Sequence, residues 1–416
     1  MLQITVIADD LTGAADTGVQ FCRLGGANYL LNWQLMDKTD LSRPPAALCI
    51  YTDSRHLPSQ PASRRVRHAA RLLKPLAPRL IYKKIDSCLR GNLAAECLAL
   101  LDELELESAL VAPALPEQGR QTIHDRHLVR GVPVAQSEMA RDPVNPVRES
   151  RLSRLLAEQS RQEVGHLDLD LLEQGPQALK KELQRLRRRG IRLVAADAAN
   201  QEHLRLLAGL GLDPELRCLL VGSAGLARGL AGLIQDSPSS YAEPPTLEGS
   251  LLFLCGTASP RMAEQVEFLI RRHKVEHLIL EARTLLEAWQ RVSLDKLVQQ
   301  ASTLLRRGHL VLKLETPAAE GPLLDSDRLV RALAELGTRT TLETRPGALF
   351  LSGGDTASAM LEALGSLALE LKGELGQGNI WSVLRGGPLE GTIVFTRAGA
   401  FGREDALSQL LQEITT

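Results

Sequence analysis

At 416 residues the chain is too long for one typical core, and two or three domains are expected. Its 50 acidic and 49 basic residues nearly cancel, which excludes a broad electrostatic footprint for nucleic acid, and 3% aromatics leave little for base stacking. The six cysteines (Cys22, Cys49, Cys88, Cys97, Cys218 and Cys255) form no Cys-x-x-Cys pair, so reduced thiols are expected rather than a zinc site or disulfide framework. No basic segment leads into an apolar core at the start, and no apolar run approaches the ~20 residues that cross a bilayer. The expectation is a cytoplasmic protein with no membrane partner.

Ile4-Thr5-Val6-Ile7-Ala8 opens the chain as a buried strand. It breaks into Asp9 and Asp10, then into Leu11-Thr12-Gly13 and a small-residue segment able to continue as a helix. In open α/β sheets ligands gather outside the carboxyl ends of strands, where two carboxylates suit catalysis or metal binding. Capping of the helix by one of them is the other reading, and this stretch alone does not choose.

The pattern repeats. Leu48 to Tyr51 precedes Thr52-Asp53-Ser54-Arg55, Leu80 to Tyr82 precedes Lys83-Lys84-Ile85-Asp86-Ser87, and Ala109 to Ala112 precedes Pro113 to Arg120. Helical spacing over Ser63–Leu73 and Leu93–Leu104 separates these runs, so βαβ units and a mostly parallel sheet are predicted. His124 and His127 lack metal-ligand spacing and fall in a predicted loop, with a structural or substrate-peripheral role. Arg141 to Val147 reads as a loop because its two prolines disfavour helix before them. Glu149–Gln159 and Leu179–Arg189 read as helices, the second with a solvated cationic face ending at Gly190. Arg192–Ala196 and Cys218–Val221 are further strands, and Gly222 to Ala227 makes a tight turn with exposed amides.

Asp236 to Pro245 shifts to Ser and Pro without periodicity and marks a linker. Beyond it the strands Leu251–Leu254, Leu310–Leu314, Ala348–Leu351 and Thr392–Phe395 are predicted, with helices from Met262 and Ala357. Three of these strands run into glycine-rich turns, at Gly256, Gly353-Gly354 and Gly399 to Gly402. A structural turn explains any one of them; three together favour nucleotide binding through backbone amides. Neither a P-loop nor a Gly-x-Gly-x-x-Gly after a strand occurs, which excludes the first and weakens a dinucleotide dehydrogenase.

Lysine is scarce, at ten residues, so Lys83-Lys84 at a strand end is informative. Neighbouring strand residues face opposite ways, and one of the two is expected to reach a given site; a surface salt bridge is the alternative. With Asp9, Asp10, Arg55, Asp86 and Arg90 these lysines form a mixed-charge set suited to a small hydroxy acid. Cations would hold the carboxylate, and an aspartate would orient or deprotonate a hydroxyl.

Taken in order, Ala8 to Ala14, Thr52 to Arg55, Lys83 to Asn92, Pro113 to Arg120, Arg141 to Pro146, Gly222 to Ala227, Ser352 to Thr356, and Phe401-Gly402 with Glu404-Asp405 resemble the four-carbon acid sugar kinase family. The resemblance runs through nearly the whole chain, and its Lys-Ile-Asp-Ser segment is most similar to the D-threonate kinases. Cys88, Asp355 and Arg397-Ala398 depart from the family's usual threonine, glutamate and Lys-Ser.

The resemblance implies an acid-sugar domain over 1–235, a linker over 236–247 and a nucleotide domain over 248–416, each domain an α/β fold with a mostly parallel sheet flanked by helices. It implies ATP-dependent phosphorylation, with Mg²⁺, of the 4-hydroxyl of D-threonate. A 3-oxo-tetronate or D-erythronate kinase and a non-catalytic nucleotide or metabolite sensor are the alternatives. Substrate contacts are expected at Asp9, Asp10, Arg55, Lys83, Lys84, Ile85 and Asp86, with catalysis assigned to Asp10, Lys84 and Asp86. Nucleotide contacts are expected at Ser259, Gly353, Gly354, Asp355, Thr356, Gly399 and Gly402. The metal's ligands and the oligomeric state are not specified, a homo-oligomer being compatible with the sequence. Ligands held in different domains would require closure.

Overall fold

In the computed structural model, which describes residues 2–142, 144–235, 241–257, 259–290, 294–315, 326–376, 378–399 and 401–415, the apolar runs fold as strands of two units. The first comprises Met1–Asn28 and Asn32–Ser240, the second Tyr29–Leu31 and Tyr241–Thr416. Of the expected linker, 236–240 lie outside the described residues, and 241–247 carry no helix or strand.

The first stretch of chain supplies β1 (Ile4–Ala8), β2 (Asn28–Asn32), β3 (Ala47–Tyr51), β4 (Leu80–Lys84), β5 (Ser108–Ala112), β6 (Arg120–Ile123), β7 (Arg126–Val129), β8 (Val132–Pro133), β9 (Val164–Leu167), β10 (Leu193–Ala196) and β11 (Cys218–Gly222). Seven of these form the first unit's sheet in the order β3-β1-β4-β11-β5-β10-β9, with every pairing parallel. β1, β3 and β5 are buried throughout, as continuous apolar strands covered on both faces should be. The helix Ser59–Leu73 buries Ala62, Val66, Ala69, Ala70 and Leu73, a stripe at helical spacing, and packs on Leu93–Leu104. In register, Ala8 lies between Tyr51 and Lys84. The chain goes from β1 out to β3 and returns to β4 on the other side, so the strand order reverses at β1 and β4, where doubly wound sheets hold ligands.

The second unit contains β12 (Leu251–Cys255), β13 (Glu276–Leu280), β14 (Leu310–Leu314), β15 (Ala348–Ser352), β16 (Ala368–Leu375), β17 (Asn379–Arg385) and β18 (Ile393–Arg397). β13-β14-β12-β15-β18 are parallel, and β17 and β16 extend the sheet as an antiparallel pair. Leu30 and Tyr29 of β2 pair antiparallel with Leu369 and Glu370, which groups Tyr29–Leu31 with this unit. Phe253 and Phe350 meet at 5.5 Å between ring centroids in a core shared with Met262, Val266, Leu407 and Leu411.

Several elements differ from the sequence reading. β2, β9, β13, β16 and β17 are additional strands, and the loop predicted around His124 and His127 is the small antiparallel sheet β6-β7-β8. The helices predicted from Met262 and Ala357 begin at Pro260 and Gly354. The cationic helix, Pro176–Arg188, is matched by carboxylates: Lys180 pairs with Asp213 and Glu215, and Arg187 with Glu107. Among the described residues no helix is long and apolar enough to cross a membrane.

Candidate active site

The end of β1 delivers two carboxylates into one guanidinium. Arg55, three residues past Thr52 at the end of β3, donates from Nε to Asp9 Oδ2 (2.7 Å) and from Nη2 to Asp9 Oδ1 (2.9 Å). Nη2 also reaches Asp10 Oδ1 at 2.5 Å. Burial pushes the Asp9 carboxyl up, but the Arg55 charge and hydrogen bonds, aided by Lys83 and Lys84, outweigh it and hold Asp9 at about 2. Asp10 is also the N-cap of the helix Leu11–Gly18, accepting from Gly13 N at 3.1 Å and from the Thr12 hydroxyl at 2.7 Å. The capping expected of one member of this pair therefore falls to Asp10.

Alternation along β4 separates the two lysines. Lys83 is fully buried, its Nζ 2.7 Å from Glu96 Oε2 and donating to the Lys84 carbonyl at 2.7 Å. Burial pulls its pKa down, and the Glu96 charge more than restores it. The structure thus commits the Lys83 ammonium to an internal pair rather than to the carboxylate cluster. Lys84 is different: 4% exposed, its ammonium makes no hydrogen bond or ion pair among the described residues. It lies against Gly13, where an added Cβ would come within 2.6 Å of Lys84 Nζ and 2.5 Å of Asp10 Oδ1. A side chain there would have to displace the Lys84 ammonium or the Asp10 carboxylate.

Asp86 is held by Arg90, which donates from Nε at 2.8 Å and from Nη2 at 3.1 Å. Burial raises the Asp86 carboxyl, while Arg90, then Arg55 and Lys84, hold it far below the usual carboxylate range. Arg90 Nη1 continues to Asp142 at 3.1 Å, tying in the proline-flanked loop. Ile85 is buried, and its amide donates to the Gly222 carbonyl at 2.9 Å, fixing the strand end. His127, buried on β7, donates from Nε2 to the Ser87 carbonyl (2.7 Å), which can only accept, so Nδ1 takes the Thr122 hydroxyl at 3.0 Å. Burial lowers its pKa to about 4, leaving a neutral imidazole that braces the turn after Asp86.

Sequence reasoning missed Glu96, whose Oε1 also accepts from the Ser54 hydroxyl at 2.6 Å. The signal was present: Leu93, Glu96, Cys97 and Leu100 form one buried stripe, and a carboxylate on such a stripe demands a partner. It also missed Arg65, which donates to the carbonyls of Thr52 and Asp53 at 3.0 and 2.8 Å.

In the second unit the strand order reverses at β12 and β15, paired in register at Cys255 and Ser352. Gly256 and Gly353 follow them directly. The helices Pro260–Arg272 and Gly354–Ala363 start at this edge, preceded by Ser259 and Gly353. Gly353 has φ +98°, and a Cβ there would lie 3.4 Å from the Thr257 amide nitrogen. Thr356 packs on Gly256 and Thr257 on Gly399, so the three turns share contacts. Asp355 is exposed in the first helical turn. Gly402 lies beside Arg397 and Gln265. Arg397 is buried over Phe350, donates to Asn379 at 3.1 Å and to Gln265, and is lowered by burial to about 10. Gln265 in turn donates to the carbonyls of Phe401 and Arg403 at 3.0 and 2.7 Å. Backbone amides at two helix N-termini and glycine turns can receive an anion.

Residues 4–230 match the family model of a sugar-binding N-terminal domain, and residues 252–407 that of a nucleotide-binding C-terminal domain. The chain is 34% identical over 415 residues to a D-threonate kinase of Cupriavidus necator, covering 99% of this chain and 97% of that protein. It is 29% identical over 436 residues to a D-erythronate kinase of Heliobacterium modesticaldum, covering 100% and 98%. A solved protein of Haemophilus influenzae shares the fold with a TM-score of 0.75 at 23% identity, covering 99% of this chain and 100% of that one.

Proposed function

We propose, on the premise that this chain belongs to the four-carbon acid sugar kinase family, that its acceptor is D-threonate and that the 4-hydroxyl takes the γ-phosphoryl group of ATP. The single observation that carries the site is Lys84: a buried ammonium with no direct hydrogen bond or ion pair among the described residues, set beside Asp9, Asp10, Arg55 and Asp86 at the switch point of a parallel sheet. Its charge supports the ionised Asp9 and Asp86, and the absence of a direct hydrogen bond leaves its N–H donors for an anionic ligand.

In this reading Arg55 and Lys84 supply the positive field for the carboxylate or the incoming phosphoryl group. Asp10, fixed by the helix it caps, orients the acceptor hydroxyl and takes its proton late, as suits a loose phosphoryl-transfer transition state. Asp86, clamped by Arg90, holds a second hydroxyl. Asp9 serves Arg55 rather than the acceptor. Lys83 is reassigned from substrate contact to internal support because Glu96 occupies its ammonium.

The nucleotide phosphates would take the amides at Gly353 to Thr356 and at Ser259, with the Gly399 to Gly402 turn beside them. Among the described residues no group of three His, Cys, Asp or Glu side chains could cage a metal. Mg²⁺ needs only one or two carboxylates besides phosphate and water, and Asp355 suits that part. When bound, the ion offsets phosphate charge.

Support for D-threonate over its relatives is the Lys84-Ile85-Asp86-Ser87 segment and the name of the 34%-identical relative. Coupled ADP detection over D-threonate, D-erythronate and a 3-oxo-tetronate tests this. A higher kcat/KM on either of the other acids reassigns the substrate, and ATP binding without turnover on any acid leaves a sensor.

A further inference from the structure

The turn that presents Arg55 is held from below by a buried chain of polar groups that touches no solvent. Ser54, Thr52, Lys83 and Glu96 are each at most 1% exposed. The Ser54 hydroxyl donates to Glu96 Oε1 at 2.6 Å and so accepts from the Thr52 hydroxyl at 2.7 Å, whose oxygen lies 2.9 Å from the Ala8 carbonyl. The backbone follows the same course: Thr52 N donates to Ala8 O and Ser54 N to Asp9 O, both at 3.0 Å. Asp53, between them, has φ +45°, a conformation that a non-glycine residue keeps only when its surroundings impose it.

Resting on the kinase reading above, we propose that Glu96 is a positioning residue of the acceptor site, acting through Ser54 to set the guanidinium of Arg55 against Asp9 and Asp10. Lys83 makes this possible: its ammonium neutralises Glu96, and its bond to the Lys84 carbonyl ties the support to the strand end from which Lys84 projects. A carboxylate is used because the helix Leu93–Leu104 must reach both a lysine and a hydroxyl from one buried position, and a carboxylate accepts on two oxygens. Glu96 touches neither the reacting groups nor solvent.

Two variants separate positioning from mere support of the core. Ser54→Ala removes one hydroxyl and leaves the ion pair. Lys83→Met/Glu96→Leu replaces the pair with apolar side chains, an exchange that buried ion pairs often tolerate in stability. Both are expected to keep a cooperative thermal transition and a KM for ATP within about twofold of the parent. The kcat/KM for the acid should fall roughly tenfold in Ser54→Ala and roughly a hundredfold in the double variant, the loss a misplacement near 1 Å produces. Crystal structures of the same variants read Arg55 directly, with both hydrogen bonds to Asp9 displaced. Unchanged acid kinetics in both variants, or an unmoved Arg55–Asp9 fork, overturns the proposal. Absence of turnover by the parent enzyme defeats the kinase reading instead, and the crystal structures then decide this one alone.

Discussion

Arg55 grips Asp9 through a two-pronged contact, Nε to Oδ2 at 2.7 Å and Nη2 to Oδ1 at 2.9 Å. The fork geometry matters because a lysine offers a point charge and cannot reproduce it. Arg55→Lys should lower kcat/KM for the acid about a hundredfold. Arg55→Ala, which strands two buried carboxylates, should also destabilise the fold by about 3–5 kcal/mol. Steady-state kinetics and urea unfolding check the pair, and equal activity of the lysine variant would show that charge alone suffices.

Gly13→Ala inverts a usual rule. Alanine in a helix interior normally gains about 0.5–1 kcal/mol over glycine. Here the new methyl group would meet Asp10 Oδ1 and Lys84 Nζ, so acid turnover should fall at least tenfold. Gly232, in the helix Ala224–Ile234, has nothing within 4 Å of an added Cβ. Gly232→Ala should therefore leave turnover unchanged and raise stability slightly. Assaying both variants together isolates the crowding.

His127 predicts a pH dependence of stability. Its pKa, about 4 when folded, lies below the ordinary 6.5, so between these values the unfolded chain binds more protons. Its stabilisation is complete above pH 6.5 and falls away towards pH 4, by roughly 3 kcal/mol in total. Asp9 adds almost no slope between pH 7 and pH 5, because its ordinary 3.8 and its folded value of about 2 both lie lower. His166, raised chiefly by Asp197 against the effect of burial, works in the opposite direction. His127→Gln should reduce the loss of stability between pH 7 and pH 5, measured by urea unfolding; an unchanged difference would contradict it.

Gly353→Ala tests the nucleotide edge. A side chain at φ +98° is strained, and its Cβ would sit 3.4 Å from the Thr257 amide nitrogen. ATP affinity by calorimetry should weaken at least tenfold, while affinity for the acid stays unchanged. A parallel loss of acid affinity would show general damage instead.

The strand ends were legible because β1, β3, β4, β12, β15 and β18 are apolar runs that stop at charge or glycine. Period-two alternation along β4 also foretold that the two lysines would part company. The hairpin of β6 and β7 was not legible for a physical reason. Its two-residue turn, His124-Asp125, takes φ of +48° and +67° without glycine or asparagine. Asp197 enforces it by accepting both amides at 2.7 and 2.9 Å, a partner more than seventy residues away. β16 escaped notice because its alternating Glu370 and Lys372 look like a polar segment, whereas Glu370 is buried against Lys372 and Arg385 of the neighbouring strand. The pairing of Tyr29 and Leu30 with β16 likewise exists only in three dimensions.

The central claim is that Lys84 is the cation that meets the acid or the transferred phosphoryl group. Its most direct test is kcat and KM for Lys84→Met on the acid turned over best by the parent enzyme. A donor set for the transition state is worth about 2.7–4 kcal/mol, so kcat should fall about 10²–10³-fold with the fold intact. Unchanged kcat and KM would contradict the account, and a change confined to KM would limit Lys84 to holding the acid's carboxylate.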